Sequence, residues 1–431
     1  MKNTLDLIFL SCIIGIWVML LYMVVLSYCG YLYHLKISKK ESEIIDEIKD
    51  FSDWPTVTIM VPAHNEEVVI EKTAYSLLNL DYPVDKLEII IINDNSSDST
   101  GELLNQIKSK NPNRNLKIIH NLPPEGGRGK SGALNRGYKD STGEIIAIYD
   151  ADNTPNSSAL KFLVYTLIKN ADYGAVVGKF RVRNKEKNIL TRFINIETLS
   201  YQWLAQGGRW FLFKLSTLPG TNFVIYRHLI DKIEGWDVRA ITEDTEMSIR
   251  VYDLGYKICF MPLSITWEQE PQTIFVWARQ RIRWIKGNIY VTLKYFPRLL
   301  FLKSWAIKLD IVYLFITYII FLWAVVASDV IFLLGIIGTL YNIPDIVIGL
   351  SGNYFIVWLL AYLLFILEIS IILSFEKGEN NWKNILQIMF MYFSYCQGWI
   401  ILALMSTYEY FLDITFKREQ KWYKTKRFKN S

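Results

Sequence analysis

The placement of the apolar runs constrains this chain most. Leu7 to Tyr33, Ile311 to Tyr341, Tyr354 to Phe375 and Ile385 to Leu412 are each long enough to cross a hydrocarbon core, whereas no stretch from Glu41 to about Lys294 is apolar enough to do so. A chain built this way is expected to fold as one water-exposed domain between membrane helices. The first run is too long for a signal-peptide core and has no small-residue cleavage site, so it reads as a retained helix. Lys36, Lys39 and Lys40 follow it, against Lys2 alone before it, which puts the polar domain in the cytoplasm and the N-terminus outside. The chain is 51% hydrophobic and 15% aromatic, which rules against a purely soluble protein. Its 47 basic and 42 acidic residues nearly balance, and the small excess lies beside apolar segments, so the partner is a lipid bilayer and no nucleic acid is expected. Cys12, Cys29, Cys259 and Cys396 lack metal-ligand spacing and imply neither a disulfide nor a zinc site.

The basic tail, with Lys417, Arg418 and the run Lys421 to Lys429, belongs inside as well, and it would be outside if all three later runs crossed. Two arrangements solve this. Either the first two cross and Ile385 to Leu412 lies in or re-enters the inner face, or Ile311 to Tyr341 breaks near Ser328-Asp329 into two short spans. Loop charge favours the first, since Lys377 and Lys383 then face inward and the outer loop Asn342 to Asn353 carries only Asp345. The expected organisation is a membrane helix with basic flank (1–40), an α/β catalytic domain (41–270), amphipathic interface helices (271–308), membrane helices (309–376), an interfacial or re-entrant helix (377–413) and a basic tail (414–431).

Within the domain, Val57 to Val61 reads as a buried strand running into Pro62-Ala63-His64-Asn65-Glu66-Glu67, and Leu87 to Ile92 as a second ending in Asn93-Asp94. Open parallel sheets bind nucleotides at such polar strand ends. The stretch Gly126 to Asn135 contains Gly129-Lys130-Ser131, but Pro124 stands where a P-loop needs its first glycine and no strand is expected before it, so ATP hydrolysis is a poor reading. Glu144 to Tyr149 is a strand that ends in Asp150-Ala151-Asp152. Carboxylates at i and i+2 of an extended chain face the same side, so Asp150 and Asp152 can hold one divalent cation, Mg2+ or Mn2+, against a nucleotide diphosphate. Thr242-Glu243-Asp244 then precedes a helix-like run, Glu246 to Tyr252, which places two carboxylates where they could take a proton from a hydroxyl. Farther on, Gln280, Arg283 and Trp284 share one side of a helical turn, an amide, a cation and an indole suited to a sugar and its phosphates.

Taken in this order, these motifs resemble the processive branch of glycosyltransferase family 2, the inverting membrane synthases of cellulose, related β-glucans, poly-N-acetylglucosamine, chitin and hyaluronan. The resemblance implies a GT-A (Rossmann-like) fold for the α/β domain and a UDP-sugar as donor. It assigns Ala63, Asn65, Glu66 and Asp94 to uridine, with Asn93 standing where many relatives carry an Asp. It places Lys130 near the donor, makes Asp244 the catalytic base beside Glu243, and gives Arg283 to the diphosphate and Gln280 and Trp284 to the acceptor's terminal sugar. Leu218 to Phe223 falls where cellulose synthases line the acceptor, and only the Gly220-Thr221 pair is kept. Tyr201, Trp203, Trp210 and Phe211 form an aromatic set suited to sugar rings or to the core. After the last helix, Trp422, Thr425 and Arg427 recur at the offsets of a cellulose-synthase gating loop, so Thr425 and Arg427 would reach the diphosphate; a polybasic membrane-surface tail is the other reading.

The implied product is a β-glucan from UDP-glucose, cellulose-like or of mixed linkage, secreted through the enzyme's own helices. Poly-N-acetylglucosamine from UDP-N-acetylglucosamine is the nearest alternative, followed by a single transfer to a lipid acceptor. A transporter with a regulatory domain fits poorly, since charged residues are scarce in the membrane runs. Accessory secretion subunits and a homo-oligomer stay open.

Overall fold

The computed structural model describes residues 2–341, 343, 352–416 and 424–429. Eight strands form one mixed sheet in the order β3-β2-β1-β4-β7-β6-β8-β5. These are β1 (Val57–Ala63), β2 (Leu87–Asp94), β3 (Leu116–Asn121), β4 (Ile145–Ile148), β5 (Thr154–Pro155), β6 (Tyr173–Val182), β7 (Phe223–Tyr226) and β8 (Lys257–Glu268). The first four are parallel, Val57 opposite both Leu87 and Ile145, and β7 then pairs antiparallel with β4 and β6. Strands covered on both faces read as unbroken apolar runs, which is why every residue of β2 and of β4 is buried.

The strand order also fixes where a ligand can sit. The chain steps outward from β1 to β2 and β3, then returns to the other side of β1 to form β4, so the loops after β1 and β4 diverge and leave a crevice at their carboxyl ends. Ala63, Asp94 and Asp150 all stand at that edge. The glycine-rich stretch does follow a strand, contrary to expectation: β3 leads into it and the helix Gly129–Lys139 leaves it.

Among the described residues four helices are long and apolar enough to span a bilayer: Asp6–Asp50, Trp305–Gly338, Ile356–Ser374 and Trp382–Thr415. The N-terminal helix runs unbroken over Lys2–Asp50, about 74 Å at 1.5 Å per residue, so it continues well past the hydrocarbon core as a rigid stem to the sheet. It meets the segment Tyr201–Gly208 backbone to backbone. A Cβ on Gly30 would strike the carbonyl oxygen of Trp203, and one on Gly208 that of Leu26.

The run Ile311 to Tyr341 does not break at Ser328-Asp329. It is helical from Trp305 to Leu340, with a wide π-helical turn at Ile316–Phe321. The end of the Gly352–Ser374 helix is anchored to the domain by Glu376, which pairs with Lys179 (2.7 Å) and Arg181 (2.9 Å). Trp382–Thr415 is kinked at Ser394, where Trp382–Phe393 gives way to Tyr395–Thr415. The second part is tied to the helix Ile274–Tyr295 near both of its ends. Trp277 Nε1 donates to the Tyr395 hydroxyl (2.9 Å), and Lys286 pairs with Asp413 (2.5 Å). By length and composition the segment could span. Its two ties hold it against the helix Ile274–Tyr295.

Candidate active site

A cavity of about 800 Å³ opens at the crevice between β1 and β4 and extends to the membrane helices. Of the residues singled out in the sequence, Ala63, Glu66, Asp94, Lys130, Asp150, Asp152, Thr221, Glu243, Asp244, Gln280, Arg283, Trp284, Thr425 and Arg427 line it. Asn65 and Gly220 do not. Asn65 has φ of 53°, and its side-chain oxygen accepts from the Ser97 backbone N–H (2.7 Å), so it laces the β1 loop to the β2 loop. Trp203 and Trp210 belong to the core, whereas Tyr201 of the same aromatic set reaches the cavity.

Glu243 and Asp244 are not ahead of the helix but in its first turn, Glu243–Asp253, where free backbone N–H groups and the helix dipole favour negative charge. Asp244 Oδ1 accepts from the Thr245 N–H at 2.8 Å. Burial raises the Asp244 pKa to about 7, the charge of Glu243 adds to this, and Lys130 opposes it. Lys130 bonds Asp150 Oδ1 (2.6 Å) and the Gly220 carbonyl (2.8 Å), with Glu243 at 3.6 Å. Burial alone would lower the lysine's pKa; Asp150 and Glu243 outweigh it and keep the ammonium charged.

Gly220 makes room for this cluster. It has φ of +87°, and a Cβ there would stand 2.8 Å from Asp244 Oδ2 and 3.1 Å from Lys130 Nζ. Its neighbour Thr221 supports the site from behind: the hydroxyl accepts from the Asp150 N–H (3.1 Å) and donates to Asn153. Asp94 is similarly fixed, accepting from Asn121 Nδ2 (2.7 Å) and the Gly127 N–H (2.9 Å).

The tail reaches the same edge. Arg427 bonds Asp152 Oδ1 (2.9 Å) and the Gln269 carbonyl (3.0 Å), and Lys424 lies 3.4 Å from Glu66. Burial raises Glu66 to about 7 despite the opposing charges of Arg427 and Lys424. Trp422 lies outside the described residues. Asp150 and Asp152 are hard oxygen donors that both line the cavity from the turn after β4, not from an extended strand, and their chemistry suits Mg2+ or Mn2+. Among the described residues no cluster of three metal-ligating side chains is present, so such an ion would complete its shell from a diphosphate and water.

On the opposite wall, Gln280, Arg283 and Trp284 project from the helix Ile274–Tyr295 as their spacing requires. Burial lowers the Arg283 pKa, while Glu243, Asp244 and Asp150 pull it back up. Sequence reasoning missed Arg281, which is 1% exposed and lies 4.1 Å beneath the Trp284 ring. Its guanidinium donates to Gln280 Oε1 (2.5 Å) and to Glu197 (2.7 Å), and Glu197 also accepts from the Tyr395 hydroxyl. These partners lie 84 or more positions from Glu197, beyond any local pattern. His64, Trp399 and Tyr318 also line the cavity and were not anticipated.

Residues 55–287 match the Glycosyltransferase like family 2. The probable glycosyltransferase YdaM of Bacillus subtilis (strain 168) is 47% identical over 428 residues, 99% of each chain. The poly-beta-1,6-N-acetyl-D-glucosamine synthase of Staphylococcus aureus (strain COL) is 31% identical over 260 residues, and the match covers 60% of that chain and 60% of this one. Among solved structures, the mannosyltransferase PcManGT from Pyrobaculum calidifontis in complex with GDP-Man and Mn2+ aligns with a TM-score of 0.59 at 17% identity, over 96% of this chain and 100% of that one. At that identity the likeness concerns the fold.

Proposed function

The chain belongs to glycosyltransferase family 2, and from that premise we propose that it is a multi-pass membrane polymerase that extends a β-linked glycan from a UDP-sugar by inversion, with its catalytic domain in the cytoplasm. The observation that carries this reading is that one cavity gathers both sets of groups. Strand-end carboxylates and a buried base stand at one end, an indole and amide at the other, and the far wall is built from helices apolar enough to lie in a bilayer. The ties that hold Tyr395–Thr415 against the helix Ile274–Tyr295 favour an interfacial course for that segment over a crossing.

In this reading Asp94, Glu66 and Ala63 face the uridine, and Asp150 and Asp152 would hold Mg2+ or Mn2+. When bound, the ion supplies positive charge against the diphosphate as UDP departs. Arg283 lies close to the carboxylates and can neutralise the same leaving group. The acceptor's terminal sugar rests on Trp284, held flat from below by Arg281, with Gln280 oriented by the same guanidinium. Asp244 takes the proton from the attacking hydroxyl, and Glu243 keeps its basicity high by like-charge repulsion. The acceptor oxygen bonds to the anomeric carbon as the bond to UDP breaks on the opposite face.

Of the two donors weighed, the relative named as a poly-N-acetylglucosamine synthase favours UDP-N-acetylglucosamine over UDP-glucose, reversing the order reached from motifs alone. Membranes holding the purified protein, given labelled UDP-sugars one at a time and digested with linkage-specific hydrolases, test this. A polymer from one donor is expected; a single sugar on a lipid would replace polymerisation with a one-step transfer.

Three results should follow. Because Asp244 must be ionised to act and its pKa is raised to about 7, kcat/KM should climb with pH between about 6 and 8 and fall about tenfold per unit below that. A rate that is flat from about pH 5.5 to 8 would be incompatible with a base of this kind. Gly220→Ala should cut turnover about 100-fold by displacing Asp244 and Lys130, with UDP affinity far less affected, as titration calorimetry beside an activity assay would show. Thr425→Ala, which changes no charge, should lower turnover about tenfold, whereas Lys426→Gln and Lys429→Gln, both at exposed positions, should not. The reverse pattern would make the tail a simple membrane-surface charge.

A further inference from the structure

Several carboxylates in the cavity wall are spoken for. Asp94 accepts from Asn121, Asp150 pairs with Lys130, Asp152 with Arg427, and Glu197 with Arg281. Glu270 also lines the cavity and is 5% exposed. Among the described residues its Oε2 has no hydrogen-bond partner and its carboxylate makes no ion pair. Burying an acceptor oxygen without a donor costs stability, and in a cavity wall a ligand can supply the missing donor.

Glu270 is also held in place. Its N–H donates to Asn184 Oδ1 (2.9 Å) and its carbonyl accepts from Asn184 Nδ2 (2.8 Å), a side chain that is itself buried just beyond β6. Gln269, one position earlier, donates its N–H to Asp152 Oδ2 (3.0 Å). Pro271, one position later, biases the backbone of Glu270 toward an extended conformation. The charges that act most strongly on Glu270 are Arg281, which underlies Trp284, and its partner Glu197, followed by Asp152 and Arg427 at the donor edge. Glu270 is therefore within electrostatic reach of both ends of the reaction.

A carboxylate oxygen takes O–H or N–H donors and repels phosphate. In the reading above, Asp94, Glu66 and Ala63 face the uridine, the ionised diphosphate has no donor to give, and the acceptor's terminal sugar has Trp284 and Gln280. The sugar being transferred is left. It is joined to the diphosphate on one side and meets the acceptor on the other, and it carries hydroxyl groups that can donate. We propose that Glu270 accepts a hydrogen bond from a hydroxyl of the sugar carried by UDP and so orients the anomeric carbon toward the acceptor. This rests on the UDP-sugar reading. Glu270 exchanges no proton in the reaction; its part is to recognise and position the donor sugar.

The test uses the full-length protein in nanodiscs with Mn2+ and no acceptor, and binding is read by titration calorimetry. The probes are UDP and the non-transferable phosphonate analogues of UDP-glucose and UDP-N-acetylglucosamine. Glu270→Gln should weaken the analogue that the wild-type protein binds more tightly by about tenfold, with UDP affinity within about twofold of the wild-type value. Glu270→Asp keeps the charge but withdraws it by one methylene, and it should weaken the same analogue about fivefold while again sparing UDP. Retained UDP binding shows that a variant is folded, and should Glu270→Gln fail to fold, Glu270→Asp carries the test. Analogue affinity unchanged in Glu270→Gln overturns the contact. Wild-type analogue affinity in Glu270→Asp overturns it too, because Glu270 would then only balance the charge of Arg281. Equal weakening of UDP and analogue overturns it as well, since Glu270 would then merely support the donor edge through Gln269 and Asp152. Wild-type protein that binds UDP but neither analogue removes the role of Glu270 and leaves the nucleotide site standing. Wild-type protein that binds neither UDP nor an analogue would instead remove the UDP-sugar reading, and the role of Glu270 with it.

Discussion

Asp244→Asn is expected to lower glycosyl transfer about 1,000-fold or more while leaving UDP affinity within about twofold of the wild-type value. The substitution keeps the shape of the side chain and its acceptor oxygen for the Thr245 N–H, and it removes only the ability to take a proton. Lys130 does not lose its place, because Asp150 and the Gly220 carbonyl still hold it. Nor should the fold suffer. The carboxylate's pKa is raised by burial, so its ionised form is a burden on the native state above about pH 7, and a neutral amide relieves that burden. Thermal unfolding at pH 8 should therefore begin at the same or a higher temperature than in the wild-type protein. Polymer synthesis at a near-normal rate would take Asp244 out of the role of base, and a variant that had lost UDP binding as well would point to a collapsed site.

Asp152→Asn should cost about 100- to 1,000-fold in turnover and abolish the response to Mn2+ or Mg2+. The residue is 3% exposed and has two commitments, one oxygen accepting the Gln269 N–H (3.0 Å) and the other facing Arg427. Asparagine can keep the first through its carbonyl oxygen, but it turns an amide toward the guanidinium. A buried cation stripped of its partner would ordinarily cost about 3–5 kcal/mol. Here Arg427 keeps the Gln269 carbonyl (3.0 Å) and Glu66 (3.6 Å), so only part of that cost is expected, and it falls on the attachment of the tail. The expected sign is thus a more protease-sensitive tail with little change in global unfolding. Titrating Mn2+ against UDP affinity separates the roles: a variant whose UDP binding still strengthens with Mn2+ as in the wild type would show that Asp152 serves the tail and not an ion.

Much of this site could be read along the chain because each motif is local. Gln280, Arg283 and Trp284 share a side by helical repeat, whereas β4 stops at Ile148 and Asp150 and Asp152 meet the cavity from a turn closed by the Asn153 N–H to Asp150 carbonyl bond, not by strand pleat. Buried strands announce themselves when every residue is apolar, as in β4. The chain was silent where a local pattern left the partner open. Asn65 belongs to a loop motif associated with nucleotide contact, and its side-chain oxygen accepts from the Ser97 N–H, thirty-two positions away. Thr221, assigned to the acceptor, lines the cavity and also braces the Asp150 backbone. Arg281, one position from Gln280, is held by Glu197, eighty-four positions away, and gave no signal of its own.

The sequence by itself determined the division into membrane helices and an α/β domain, the strands that carry the acidic ends, and the identity of the groups able to do the chemistry. Those properties follow from periodicity and hydropathy over ten to thirty residues, which neighbouring atoms impose whatever the rest of the chain does. Only the tertiary structure decided that Arg427 faces Asp152, that Gly220 must lack a side chain beside Asp244, that Arg281 underlies Trp284, and that Tyr201 and Tyr318 line one cavity. Each of these depends on segments tens to hundreds of residues apart being brought together by a crossover in the sheet or by packing on a membrane helix. Such contacts are set by the shapes of whole elements, and no short stretch of residues contains them.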